Sequence, residues 1–385
     1  MLLYLIIFFI PVFFYLYSTN HKVHDASFLF WYVGGLCVFV GLGDMLGGYD
    51  RYIYGELFDI TADELKAGVP FYQTVIFNQY PMEVGYDMIN VLIGLFTRNR
   101  YIFIFILTTF IYSSLFLLMK RYVINAPFAM IVFMPLMFYF TFTYLRQLLA
   151  VSVVWYSIEY VYRRKFWKFA IITLIGILIH NGIALYFFFY FLPVKKYARN
   201  KVVMLMAALF VLGLLGGHNL VYTAYDDVTG YGGRLSKYDI DVQGFRIAYL
   251  IEAVFFLYFI LQNYEQLGRT KLQVVLLNMA LAFCGVLLLF VKSENGGRLS
   301  WCFTIAICAI LAQLTYKTKA KKDIAVVLIV VCFFLYIRVF NAWQAAGMNL
   351  YPYKTFLTDG HRKGDPVWDA YEYDLNYDKN KFYRK

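Results

Sequence analysis

Arg146, Arg246 and Arg298 each stand at the start of an apolar stretch, Arg298 directly after Ser-Glu-Asn-Gly-Gly. If those stretches are helices that begin at the outer face of a membrane, each guanidinium occupies a first turn. The helix dipole is already positive there, and N–H groups are unpaired. A cation in that place is disfavoured by about 0.3–1 kcal/mol, and the tendency of Lys and Arg to remain cytoplasmic opposes it too. An anionic ligand removes the conflict, because helix N-termini and forked guanidinium groups together suit a phosphate or diphosphate. Arg234, in Tyr-Gly-Gly-Arg, and Arg51, in Tyr-Asp-Arg-Tyr, fall on the same expected face. The alternative for each is a snorkelling arginine paired with a local acid, Arg298 with Glu294 or Arg246 with Glu252.

His180 lies inside an apolar hairpin, whereas His21, His24, His218 and His361 fall in loops. With an unperturbed pKa near 6.5 it suits proton transfer or hydrogen bonding to a hydroxyl; a hydrogen-bonded core histidine is the alternative. Glu83 and Asp87, leading into a short apolar segment, are the other candidates for a general base, or else cap that helix. Asp239 and Asp241 form a D-x-D pair that can hold a divalent cation beside a diphosphate, a spacing common by chance. No P-loop, G-x-S-x-G elbow or H-E-x-x-H motif occurs, and no metal site or cofactor is expected.

The elements that must carry these residues follow from composition. Of 385 residues 62% are hydrophobic and 15% charged, against about a quarter charged in a soluble domain, which excludes a soluble globular enzyme. The apolar runs are continuous rather than alternating, so an all-α polytopic membrane protein is expected and not a barrel. Spans are placed near 1–17, 27–46, 101–119, 127–143, 144–162, 168–179, 182–194, 201–217, 246–262, 272–291, 298–316 and 323–340. The five cysteines lie within apolar runs without C-x-x-C spacing and read as small core residues. The first run has no basic stretch before it and no clear cleavage site, so it is read as a span and not a removed signal peptide.

Charge sets the topology. Arg163, Arg164, Lys165 and Lys168 precede the stretch 168–193, and Lys195, Lys196, Arg199 and Lys201 follow it. Both ends are therefore inside, an even number of crossings intervenes, and His180-Asn181-Gly182 is the turn between two half-length helices. On this scheme the inner loops hold 17 of the 35 basic and 4 of the 24 acidic residues, so the net charge of +11 is an orientation signal and not a nucleic-acid surface. Residues 1–340 form one transmembrane domain. Outer loops 47–100, read as amphipathic or re-entrant, and 218–245 form its active face. Residues 341–385 form an outer tail that is mobile by default, with Tyr351–Phe356 the part suited to pack on the outer face.

The run Phe142-Thr-Tyr-Leu-Arg-Gln-Leu-Leu-Ala150, followed by Arg163-Arg-Lys, a half-helix and Ile179-His-Asn-Gly-Ile-Ala184, resembles the EpsG-like branch of the Wzy-type polysaccharide polymerases. Tyr49-Asp-Arg-Tyr52, Glu83-Val-Gly-Tyr86, Arg298-Leu-Ser and Tyr351-Pro-Tyr-Lys are similar in the same order, while Asn181-Gly182 stands where that family often has a small hydroxyl residue. The resemblance implies a GT-C-type glycosyltransferase at the outer face of the bacterial inner membrane. It would join repeat units of an O-antigen, capsule or exopolysaccharide carried on undecaprenyl diphosphate. Its partners would be the lipid-linked glycan donor and acceptor, the bilayer, a chain-length regulator and a flippase. On this reading Arg146, Arg234 and Arg298, joined by Arg51 and Arg246, hold the leaving diphosphate without a metal. Gln147 orients the sugar or diphosphate, and His180, or else Glu83 or Asp87, assists the attacking hydroxyl, so that displacement inverts the anomeric centre. An O-antigen-type ligase uses the same donor. A flippase would instead place its arginines near the midplane, usually within internal repeats, which are not evident here.

Overall fold

The computed structural model describes residues 1–18, 21, 23–80, 82–229, 244–316, 322–347, 349–358 and 375–384. Within them the chain is helical, with an isolated bridge, Gly43 to Thr355, and no strand. The elements in order are α1 (Leu2–Ser18), α2 (Asp25–Gly41), α3 (Tyr49–Lys66), α4 (Val84–Gly94), α5 (Arg100–Tyr122), α6 (Ala126–Phe133), α7 (Leu145–Trp155) and α8 (Phe166–Ile179). They continue with α9 (Arg199–Leu214), α10 (Gly217–Thr229), α11 (Ile247–Gln262), α12 (Lys271–Leu289), α13 (Gly296–Leu314), α14 (Lys322–Ala345) and α15 (Leu375–Lys379). Side chains start several of these helices. Asn99 accepts from the Tyr101 and Ile102 N–H groups before α5, and Thr270 and Gln273 form a capping box at α12.

Among the described residues, α5, α12, α13 and the span Asp323–Ala345 are long and apolar enough to cross a membrane. The pair α9 and α10 adds a fifth if it is one span, bent by 77°. Shorter apolar helices lie at the expected positions 1–17, 27–46, 127–143, 168–179, 182–194 and 246–262, and one more, α4, lies in the loop 47–100; the stretch expected to cross at 144–162 is instead divided between α7 and a short helix, Ile158–Tyr162. The helical stretch breaks at His180-Asn181-Gly182, where His180 is extended and Asn181–Ile183 form a single 3-10 turn. The boundary drawn at residue 340 falls inside α14. All five cysteines are free thiols.

A break in the fourth apolar stretch aims the start of α7. Pro135 supplies no N–H, the backbone widens into a π turn over Met134–Phe138, and the helix stops at Tyr144 before restarting at Leu145. Arg51 braces this break. It is 1% exposed and donates to the Phe142 carbonyl at 3.2 Å and to the Val40 and Gly43 carbonyls at 2.9 Å each. The expectation that Arg51 binds substrate is thereby corrected: its hydrogens are turned inward, where they tie the end of α2 to the break before α7. Arg51→Met loses three hydrogen bonds from a charged group in a buried site, and should cost about 3 kcal/mol or more. A steep drop in the unfolding temperature in detergent checks this.

The described parts of the tail are packed, both in Tyr351–Phe356, the part suited to it, and in 375–384, where a tail is mobile by default. The Asp44 N–H donates to the Lys354 carbonyl at 3.0 Å, and Tyr353 stacks on Phe39 at 4.1 Å. Further on, the Tyr377 hydroxyl sits 2.9 Å from both Asp59 oxygens, Arg384 donates to the Asp59 carbonyl at 3.0 Å and pairs with Asp63, and Asn99 donates to the Lys381 carbonyl. Arg100 closes on the same Asp59 carboxylate at 2.6 Å. The polar composition of the tail thus serves buried partners on α3 and α5. Tyr377→Phe removes a hydroxyl that a buried carboxylate accepts, and should cost about 1.5–3 kcal/mol. Protease cleavage of the tail at a lower temperature than in the unaltered chain would show it.

Candidate active site

Glu83, just before α4, meets the turn at His180. Its side chain is 3% exposed. Oε1 lies 2.8 Å from His180 Nδ1 and accepts the Asn181 N–H at 3.1 Å, while Oε2 lies 2.7 Å from Arg146 Nη1. Burial works to raise the Glu83 pKa. The His180 bond and charge and the Arg146 charge outweigh it, so the carboxyl is held below its ordinary range. An ionised carboxylate only accepts, so a neutral His180 must carry its proton on Nδ1 and expose a lone pair on Nε2. Glu83 therefore orients the imidazole. Of the candidates for a base, Glu83 is thus the one engaged by His180, Asn181 and Arg146.

Space is left beside Nε2 because residue 182 is glycine. A β-carbon on Gly182 would come within 3.1 Å of His180 Nε2 and 4.0 Å of Gln147 Nε2. Gly182→Ala should lower turnover about tenfold to a hundredfold by misplacing the imidazole or filling the approach to it, with the fold retained. Initial rates with matched unfolding temperatures check this.

Arg146, at the second position of α7, enters an aromatic cage, its Cζ 3.8 Å from the Tyr80 ring centre and 5.7 and 5.8 Å from those of Tyr54 and Tyr86. With Glu83 against it this cation is already compensated. Asp87 is fully buried one turn beyond Glu83, and its carboxyl oxygens have no hydrogen-bond partner among the described residues. Gln147 links the two helix starts by donating to the Arg298 carbonyl at 3.1 Å. The Arg298 guanidinium stacks 4.0 Å from the Tyr144 ring centre. Asp50, at the start of α3, lies within electrostatic reach of both Arg298 and Arg146, and burial still lifts its pKa.

Arg298 also lines a groove of about 570 Å³ between α11 and α14. Its lining combines apolar side chains, Leu136, Phe140, Trp301 and Trp343 among them, with charged ones. Among these Arg246 pairs with Glu294, and Arg338 Nη1 stands 3.7 Å from Glu252. The local-pairing alternative thus holds for Arg246 and Arg146, with partners other than those expected for Arg246. Arg298 has no carboxylate within 4 Å among the described residues. Arg338 was not anticipated, although a lone arginine within an apolar stretch is itself a signal. Tyr80 and Asp50 carried no such signal among 36 tyrosines and many loop acids.

The structure brings together His180, Glu83, Asp87, Arg146, Gln147 and Arg298. It sets Arg246 in the groove lining, paired with Glu294, and Arg51 inside the bundle. Arg234, Asp239 and Asp241 lie outside the described residues. Among the described residues no group of three His, Cys, Asp or Glu side chains could hold a metal ion.

No curated protein and no solved structure matches this chain. The family model described as the EpsG family matches residues 28–355, which include the Glu83–His180 pair, Arg146, Gln147 and Arg298, and the chain therefore belongs to the EpsG family.

Proposed function

We propose that this chain, a member of the EpsG family of membrane-embedded polysaccharide polymerases, polymerises oligosaccharide repeat units carried on undecaprenyl diphosphate, at the outer face of a bacterial inner membrane. The proposal includes a GT-C-like arrangement of twelve crossings. The observation that carries it is the juxtaposition of an imidazole held by Glu83 with Arg298, which itself lines a groove of mixed apolar and charged side chains.

The acceptor hydroxyl approaches His180 Nε2 across Gly182 and attacks the anomeric carbon of the donor. The bond from that carbon to the diphosphate oxygen breaks, the electron pair leaves with the lipid diphosphate, and the hydroxyl proton passes to Nε2 and then to water. Arg298 meets the charge that develops on the leaving group, aided by the N–H groups at the start of α13. Arg146 keeps Glu83 ionised and so acts through the histidine. A single displacement inverts the anomeric centre. The prenyl chain lies against the apolar side chains between α11 and α14, so the diphosphate arrives from the bilayer.

The purified chain in detergent, given lipid-diphosphate repeat units, should produce a ladder of lengthening glycans. Transfer to a foreign acceptor alone would make it a ligase, and no transfer with intact donor would refute a polymerising role.

A further inference from the structure

A second crevice lies at the opposite end of the bundle, between α9 and α12. At the outer end these helices touch, because a β-carbon on Gly213 would lie 2.3 Å from the Leu288 carbonyl oxygen. From Leu209 back to Lys201 they enclose a crevice of about 370 Å³, walled by Leu205, Met206, Leu281 and Val286. α9 also leaves Val203, Met204 and Leu212 exposed, as a helix against lipid does.

Two features bear on what it can hold. Asn278 is 6% exposed and lines the crevice; its amide N–H groups donate to the Pro193 and Lys195 carbonyls at 3.4 and 3.2 Å, and its Oδ1 has no hydrogen-bond partner among the described residues. A buried acceptor left open calls for a hydroxyl or N–H from a ligand. The mouth is also cationic. Lys201 lines it, Lys195 and Arg199 are exposed beside it, and the nearby acid, Glu265, is 3.9 Å from Lys196. Arg199 and Lys201 stand in the first turn of a 16-residue helix with no side-chain cap, which adds positive dipole to the positive charge.

We infer that this crevice is a binding site for an anionic glycerophospholipid of the inner leaflet whose headgroup carries a hydroxyl, phosphatidylglycerol being the probe. The phosphate lies among Lys201, Arg199 and Lys195, a glycerol hydroxyl donates to Asn278 Oδ1, and one acyl chain runs along the aliphatic wall. The site is distant in the fold from the His180 cluster and does not rest on the polymerase reading.

Native mass spectrometry of the full chain in detergent, titrated with phosphatidylglycerol, phosphatidylcholine or a polyprenyl phosphate, tests this. The unaltered chain should retain phosphatidylglycerol in preference to both others and unfold at a higher temperature with it than with phosphatidylcholine. Lys201→Glu should weaken retention at least about fivefold, the effect of one basic residue at an anionic lipid surface. Ala282→Phe, filling the crevice, should abolish retention while the unfolding temperature in phosphatidylcholine stays that of the unaltered chain. Equal retention of phosphatidylglycerol and phosphatidylcholine, preference for the polyprenyl phosphate, or undiminished binding by both variants would overturn the inference.

Discussion

Substituting His180 by alanine is expected to slow glycan transfer about 10²–10⁴-fold, the contribution of a positioned general base, with little change in the apparent affinity for lipid-linked donor. Glu83→Gln should fall nearly as far for a different reason. A glutamine amide can donate to Nδ1 and so stabilise the tautomer with its proton on Nε2, the wrong nitrogen for accepting a proton from the acceptor. The carboxylate that touches both His180 and Arg146 would be lost as well. Because the two side chains act as one unit, the double variant should be no more than a few-fold slower than His180→Ala alone. Initial rates at saturating donor, with unfolding temperatures recorded for each variant, separate loss of chemistry from loss of fold.

Arg298→Ala is expected to lower turnover about 10²–10³-fold, as removal of a donor aimed at developing charge does elsewhere. Arg298→Lys should recover part of this, since it restores the charge without the planar fork. Arg246→Ala is the internal comparison. That guanidinium is held by Glu294 in the groove lining, and its loss should cost only a few-fold. A defect at Arg246 equal to that at Arg298 would mean that both bind the diphosphate directly and that the Glu294 pair opens in the complex.

The local features on which the site depends were legible to different degrees. The turn at His180 could be read because two basic clusters flank a stretch too long for one short helix, and because His-Asn-Gly is a poor helical sequence. The placement of Arg146, Arg246 and Arg298 at helix starts was equally plain from their positions before apolar runs. Their partners were not, since an ion pair between Glu83 and Arg146 joins residues 63 apart in the chain, and no periodicity relates them. Arg51 shows the same limit from the other direction. An outer-loop arginine beside an acid looks available to ligand, and only the meeting of three carbonyls from two distant segments explains its burial. In the tail, Tyr377, Lys381 and Arg384 look like solvated polar residues until Asp59 and Asp44 are seen beside them.

The helix break at Tyr144 joins these levels. Pro135 widens the turn, Arg51 braces it, and the restart at Leu145 sends Arg146 toward Glu83 and Gln147 toward the Arg298 carbonyl. One irregularity in an apolar stretch thus sets the heading on which Arg146 meets Glu83 and Gln147 meets the Arg298 carbonyl. A straight helix would carry Arg146 and Gln147 on a different heading.

The most direct measurement is a structure of the chain with an undecaprenyl-diphosphate-linked repeat unit bound. The account predicts diphosphate oxygens within hydrogen-bond distance of the Arg298 guanidinium, the prenyl chain between α11 and α14, and the anomeric carbon facing His180 Nε2 across Gly182. A diphosphate bound away from Arg298, or an anomeric carbon out of reach of a hydroxyl held by His180, would contradict it.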